Sequence, residues 1–159
     1  MSLEKIKSLI PHRGPMLLVD KIVEMTDTSI HCRKTFHGDE YFYDGHYPDN
    51  PITPGVILCE AAVQTGAILG ANVYPTGSGT PVLARIKDSR FKQPVFPGQT
   101  VDLYAKFDEV SSGFYFFSGK VMCEGKLAVR LSYVSTLVPA MDGSEPSESN
   151  GNGTDIASE

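Results

Sequence analysis

Residues 55–71 read GVILCEAAVQTGAILGA, and only Glu60, Gln64 and Thr65 among them are polar. A segment apolar on nearly every side suits a helix buried on all faces, not one lying on a surface. The spacing predicts a helix from about Pro54 to Ala71. Thr53 is a suitable N-cap and Pro54 suits the first helical position. Gly66 and Gly70 fall four apart on one face, where the missing side chains permit close approach of another backbone.

Outward from this helix the chain turns strand-like. Residues 15–26 are apolar and β-branched, and residues 29–36 alternate around Ile30 and Cys32. Past residue 80 come four more such runs, at 82–91, 100–110, 114–123 and 127–138. Ser111-Ser112-Gly113 and Glu124-Gly125-Lys126 have hairpin-turn composition, so the last three runs pair antiparallel. Phe96-Pro97-Gly98 marks a further turn. The expected fold class is α+β: one long buried helix wrapped by a curved antiparallel sheet.

The net charge of −5 belongs to the end of the chain. Asp142, Glu145, Glu148, Asp155 and Glu159 follow the last strand with no Lys or Arg among them; the rest carries 14 acidic and 14 basic residues. The division expected is a folded domain over 1–139 and a disordered acidic tail over 140–159, too polar to offset the entropy of ordering. A near-neutral domain lacks the basic footprint of a nucleic-acid binder. Three cysteines, an odd number with no CxxC or Cys/His cluster, argue against a disulfide framework or zinc site and suit reduced, cytoplasmic thiols. No apolar run approaches the roughly 20 residues that span a bilayer. No metal and no organic cofactor is expected.

The chemistry concentrates in residues 42–64, FYDGHYPDNPITPGVILCEAAVQ. A carboxylate inside a buried helix is costly unless paired or hydrogen-bonded. Gln64 lies at i+4 from Glu60 and can orient it through its amide. A carboxyl withdrawn from water favours its protonated form, which suits a proton donor. His46 sits in the Pro- and Gly-rich loop leading into the helix and is the general-base candidate. The N–H groups of Gly55 and Val56, at the positive end of the helix dipole, lack intrahelical acceptors and can stabilise an oxyanion. Each feature also has a plainer role: a structural loop histidine, a glutamate in a structural network, an ordinary helix start. Their combination carries the functional argument.

These residues, in their order, resemble the FabZ-type 3-hydroxyacyl-[acyl-carrier-protein] dehydratases of fatty acid synthesis. Ile10-Pro11-His12-Arg13-Gly14-Pro15-Met16-Leu17-Leu18-Val19-Asp20 is similar to that family's PHRxPxLLVD signature. Gly45-His46-Tyr47-Pro48 and Pro51-Ile52-Thr53-Pro54-Gly55-Val56 are similar to its active-site segment, and Glu60-Ala61 with Gln64 to its EAMAQ. Arg90-Phe91-Lys92-Gln93-Pro94-Val95 with Pro97-Gly98 matches a later motif. The resemblance spans roughly residues 3–138 and implies a hotdog fold, in which the helix is the sausage and the sheet the bun.

It further implies dimers joined edge to edge, often assembled as a trimer of dimers, with His46 of one subunit facing Glu60 of the other. The implied reaction is syn elimination of water from a (3R)-3-hydroxyacyl thioester to the trans-2-enoyl product. His46 takes the α proton, the Gly55 N–H polarises the carbonyl, Glu60 protonates the departing hydroxyl and Gln64 holds Glu60. Phe91 is expected in the wall of the acyl tunnel. The implied partner is acyl carrier protein, an acidic molecule, and Arg85, Lys87, Arg90 and Lys92 are candidates for its docking. A solvated strand face explains that cluster equally well. His12 is expected to be structural.

The sequence departs from the family's pattern at Thr53, Asp49, Asn50 and Val63, which leaves chain length, pathway and carrier open. A hotdog thioesterase, a dehydratase/isomerase and a non-catalytic acyl-binding protein are the alternatives. The loop His46 argues against the first, and the isomerase branch usually has Asp at position 60. Retention of both His46 and Glu60 argues against the last.

Overall fold

An all-apolar helix needs walls on several sides, and the strands after it supply most of them. The computed structural model describes residues 2–77 and 79–139; the expected acidic tail lies outside the described residues. In chain order the elements are α1 (Leu3–Leu9), β1 (Lys21–Met25), β2 (Ser29–Thr35), a 3₁₀ turn (Tyr41–Asp44), α2 (Gly55–Gly70), β3 (Thr80–Phe91), β4 (Thr100–Ser111), β5 (Phe114–Cys123) and β6 (Lys126–Val138).

The strands form one six-stranded antiparallel sheet in the order β1-β2-β4-β5-β6-β3. The two expected hairpins are present. Ser112 and Gly113 (φ 50° and 78°) and Glu124 and Gly125 (φ 50° and 74°) all take positive φ. That is the type I′ pattern whose twist matches paired strands. Alternation sends Leu103 and Ala105 of β4, Phe117 and Val121 of β5 and Leu131 and Tyr133 of β6 into one core with Leu58, Ala61, Ala62, Ile68 and Leu69 of α2. Each such large side chain contributes about 1.5–3 kcal/mol by leaving water. The result is the α+β architecture expected, a buried helix wrapped by an antiparallel sheet.

Three local expectations fail for physical reasons. Only 21–25 of the expected strand 15–26 enters the sheet; the Met16 carbonyl and the Leu18 N–H are taken by the Gln64 side chain instead. Thr53 does not cap α2. Pro54 occupies the cap position without a side-chain bond, and the Thr53 hydroxyl pairs with Tyr43 Oη at 2.6 Å. Gly66 and Gly70 do admit close neighbours, but these are the hydroxyl of Tyr133 and the ring of Tyr74, not a backbone. The short α1 and the 3₁₀ turn carry no strong periodicity and were not expected.

β3 closes one end of the sheet, with its outer edge unpaired among the described residues. It is 12 residues long and exposes Val82, Leu83, Ile86 and Phe91. A long apolar edge strand left open is an association hazard unless something covers it.

Candidate active site

Glu60 projects from the middle of α2. The helix is buried, but in one chain this side chain remains 28% exposed. Gln64, fully buried one turn later, donates through Nε2 to Glu60 Oε1 at 2.9 Å. The same Nε2 donates to Met16 O at 2.7 Å, while Gln64 Oε1 accepts the Leu18 N–H at 2.8 Å. The i+4 pairing is as the sequence predicts; its anchorage to residues 46 and 48 positions earlier is not visible in any local pattern. The Leu18 N–H fixes which end of the amide is oxygen, so Gln64 can only donate to Glu60.

A residue judged structural from the sequence lies beside this pair. His12 Nε2 is 3.7 Å from Glu60 Oε1. Arg13 clamps its backbone by donating to the carbonyls of Lys7, Ile10 and His12. Membership in the PHR signature was the only sequence signal for this placement.

His46 is held by the loop before α2. Its N–H donates to Phe42 O, and its ring packs edge-on against Tyr47. Nδ1 lies 3.0 Å from Ile52 O. A carbonyl only accepts, so Nδ1 carries the hydrogen and Nε2 presents a bare lone pair. The Thr53 N–H donates to Val95 O at 2.7 Å, tying this loop to the segment after β3. Within one chain, and among the described residues, no contact joins His46 to Glu60.

At the start of α2 the Pro54 carbonyl accepts the Ile57 and Leu58 N–H groups. The Gly55 and Val56 N–H groups find no acceptor among the described residues, as expected of a helix terminus. Phe91 lies against Gly55, where a Cβ would fall 2.7 Å from the ring. Any larger residue at position 55 must displace that ring.

A groove of about 260 Å³ runs between α2 and β3, lined by Val56, Cys59, Glu60, Val63, Leu83, Ile86, Ser89 and Phe91. Glu60 is its single ionisable carboxyl, and Phe91 stands in its wall. Burial pushes the Cys59 thiol up, against the opposing pull of Ser89.

The four basic candidates do not form one cluster. Arg85 and Lys87 line a separate hollow with Phe114 and Phe116, Lys87 lying over the Phe116 ring at 5.2 Å. Arg90 pairs with Asp88 at 3.3 Å, and Lys92 lies beyond the end of β3. Register instead aligns Arg90 with Arg130 and Arg130 with Lys120. That row across three strands was not legible from spacing.

The model of the FabA-like domain matches residues 10–132. The 3-hydroxyacyl-[acyl-carrier-protein] dehydratase FabZ of Clostridium perfringens is 38% identical over 80% of this chain and 92% of its own length. The FabZ of Roseiflexus sp. is 34% identical over 83% of this chain and 97% of its own length. Among solved structures, a chain of the dehydratase heterocomplex ApeI:P from Xenorhabdus doucetiae superposes with a TM-score of 0.71 at 19% identity, covering 84% of this chain and 90% of that one. The PaaI protein of E. coli gives 0.59 at 16% identity, over 73% and 81%. The last two likenesses establish the shared hotdog fold.

Proposed function

The chain belongs to the FabA-like family, and from that premise we propose that it dehydrates (3R)-3-hydroxyacyl thioesters to trans-2-enoyl thioesters through His46 and Glu60. The protein is a hydro-lyase of the FabZ kind, acting in fatty acid biosynthesis. Its substrate is carried on acyl carrier protein, as the names of its relatives state for them.

The observation that carries the site assignment is the tautomer of His46. With Nδ1–H committed to Ile52 O, Nε2 is free to take the proton α to the thioester carbonyl. Enolate charge then builds on the carbonyl oxygen, where the N–H groups of Gly55 and Val56 receive it. Glu60 gives its proton to the C3 hydroxyl as the C3–O bond breaks, and water leaves. The groove along α2 takes the acyl chain, with Phe91 in its wall.

The site is completed by a second copy of the chain, because His46 and Glu60 make no contact within one. Pairing through the open edge of β3 buries Val82, Leu83 and Ile86 and forms the homodimer; three dimers make the larger assembly. Arg90 serves the acidic carrier together with Arg130 and Lys120, which align beside it as a cationic strip across three strands, whereas Arg85 and Lys87 line a separate hollow. The domain ends near residue 139. Work in the cytoplasm agrees with three unpaired, buried cysteines. No helix among the described residues is long and apolar enough to cross a membrane.

The test is hydration of a short trans-2-enoyl thioester, followed by loss of enoyl absorbance, for the unaltered chain, His46→Ala and Glu60→Gln. Turnover that falls by roughly a hundredfold or more in both folded variants supports the assignment. A chain inert toward enoyl thioesters but able to hydrolyse acyl thioesters would move it to the thioesterase alternative.

A further inference from the structure

We infer that His12 is a positioning residue for the proton donor: with Gln64 it fixes Oε1 of Glu60 and so leaves Oε2 to carry the transferable proton. The inference rests on the dehydratase assignment above and concerns a residue outside that catalytic pair.

The amide oxygen of Gln64 accepts from Leu18, so its nitrogen faces Glu60, and an amide nitrogen only donates. Oε1 of Glu60 is therefore an acceptor in either protonation state. When Glu60 is neutral, its hydrogen sits on Oε2. This makes the two carboxyl oxygens inequivalent before any substrate binds.

His12 approaches the same oxygen. Nε2 lies 3.7 Å from Oε1, while Nδ1 is buried with no hydrogen-bond partner among the described residues. A hydrogen on Nδ1 would be an orphaned buried donor, so the favoured tautomer carries its hydrogen on Nε2, pointing at Glu60. The distance exceeds a hydrogen bond. Such contacts are commonly long in an open site and shorten when substrate closes it. The carbonyls of Lys7, Ile10 and His12, all held by Arg13, fix the backbone from which the ring reaches Glu60.

The consequence is chemical. As the Oε2–H bond breaks and the proton joins the leaving hydroxyl, Glu60 becomes a carboxylate whose charge is shared with Oε1. Two N–H donors already face that oxygen. Their attraction grows during the step, so His12 should act on kcat more than on KM.

Glutamine and asparagine separate this role from simple packing. The Gln side-chain nitrogen can occupy the place of imidazole Nε2, whereas the Asn nitrogen lies near Nδ1. Full-length His12→Gln, His12→Asn and His12→Phe are compared in the dehydration of a short (3R)-3-hydroxyacyl thioester, followed by gain of enoyl absorbance, with melting temperature and oligomeric state measured for each. His12→Phe and His12→Asn are expected to lower kcat by roughly ten- to a hundredfold at nearly unchanged KM. His12→Gln is expected to stay within about threefold of the unaltered protein. If Gln is no better than Asn at equal stability, or if all three act through KM alone, the inference is overturned. An unaltered chain inert on enoyl thioesters overturns the dehydratase assignment first and this inference with it; an active chain with equal Gln and Asn variants overturns only the inference.

Discussion

Gln64 is where stability and chemistry meet in one side chain. It is fully buried and its amide bonds Leu18, Met16 and Glu60 together. Gln64→Leu keeps the bulk but strands the buried Leu18 N–H and takes a donor from the part-buried Met16 carbonyl. One buried donor left without a partner should cost about 1–3 kcal/mol, read as the free energy of urea unfolding. Dehydration should slow as well, because Oε1 of Glu60 loses the donor that orients it and receives its developing charge. A variant as stable as the parent would mean that water replaces the amide. At this scale the sequence showed the Glu60–Gln64 pairing because i and i+4 are neighbours on any helix. It did not show His12, since only the folded chain brings a residue 48 positions earlier to Glu60.

The same distinction holds among the elements. Apolar alternation and turn composition located β2 through β6 closely, because each strand's inward face is decided by its own residues. They failed at residues 15–20, where the backbone groups are claimed by a distant glutamine instead of a neighbouring strand. They also could not supply register, which puts Asp102 of β4 opposite Arg33 and beside His31 of β2. Asp102 Oδ1 lies 2.7 Å from both Arg33 Nε and His31 Nε2. Burial pushes its carboxyl up, but the hydrogen bonds from Arg33 and His31 outweigh this and hold it below the ordinary value of 3.8. A depressed carboxyl stabilises the fold above its unfolded value, and that contribution is lost as pH falls through the lower folded one. Asp102→Asn should therefore lower the melting temperature at pH 6–7 by an amount that shrinks below about pH 4. The side chain is about a third exposed, so the effect is worth about 1 kcal/mol or less. A melting difference independent of pH from 3 to 7 would assign the effect to packing, not charge.

At the scale of the whole molecule, one chain carries both members of the proposed catalytic pair but does not bring them together. His46 is fixed toward Ile52, Glu60 faces Gln64 and His12, and the apolar edge of β3 is open beside the groove that holds Glu60. A dimer built on that edge resolves all three facts if each site takes its base from one subunit and its acid from the other. Subunit mixing tests this directly. His46→Ala and Glu60→Gln homodimers should each be nearly inactive. A heterodimer of the two holds one doubly damaged site and one intact site, since the unaltered His46 and the unaltered Glu60 come from different chains. If subunits re-pair at random, half the dimers are mixed, and half of their sites work. Mixing should then restore about a quarter of the parental hydration rate, after exchange is verified by mass. With both groups drawn from one chain, every subunit in the mixture would carry a lesion and no activity would return. Unlike loss of activity on dilution, subunit mixing separates a shared site from a dimer needed only for folding, provided each variant is first verified to be dimeric.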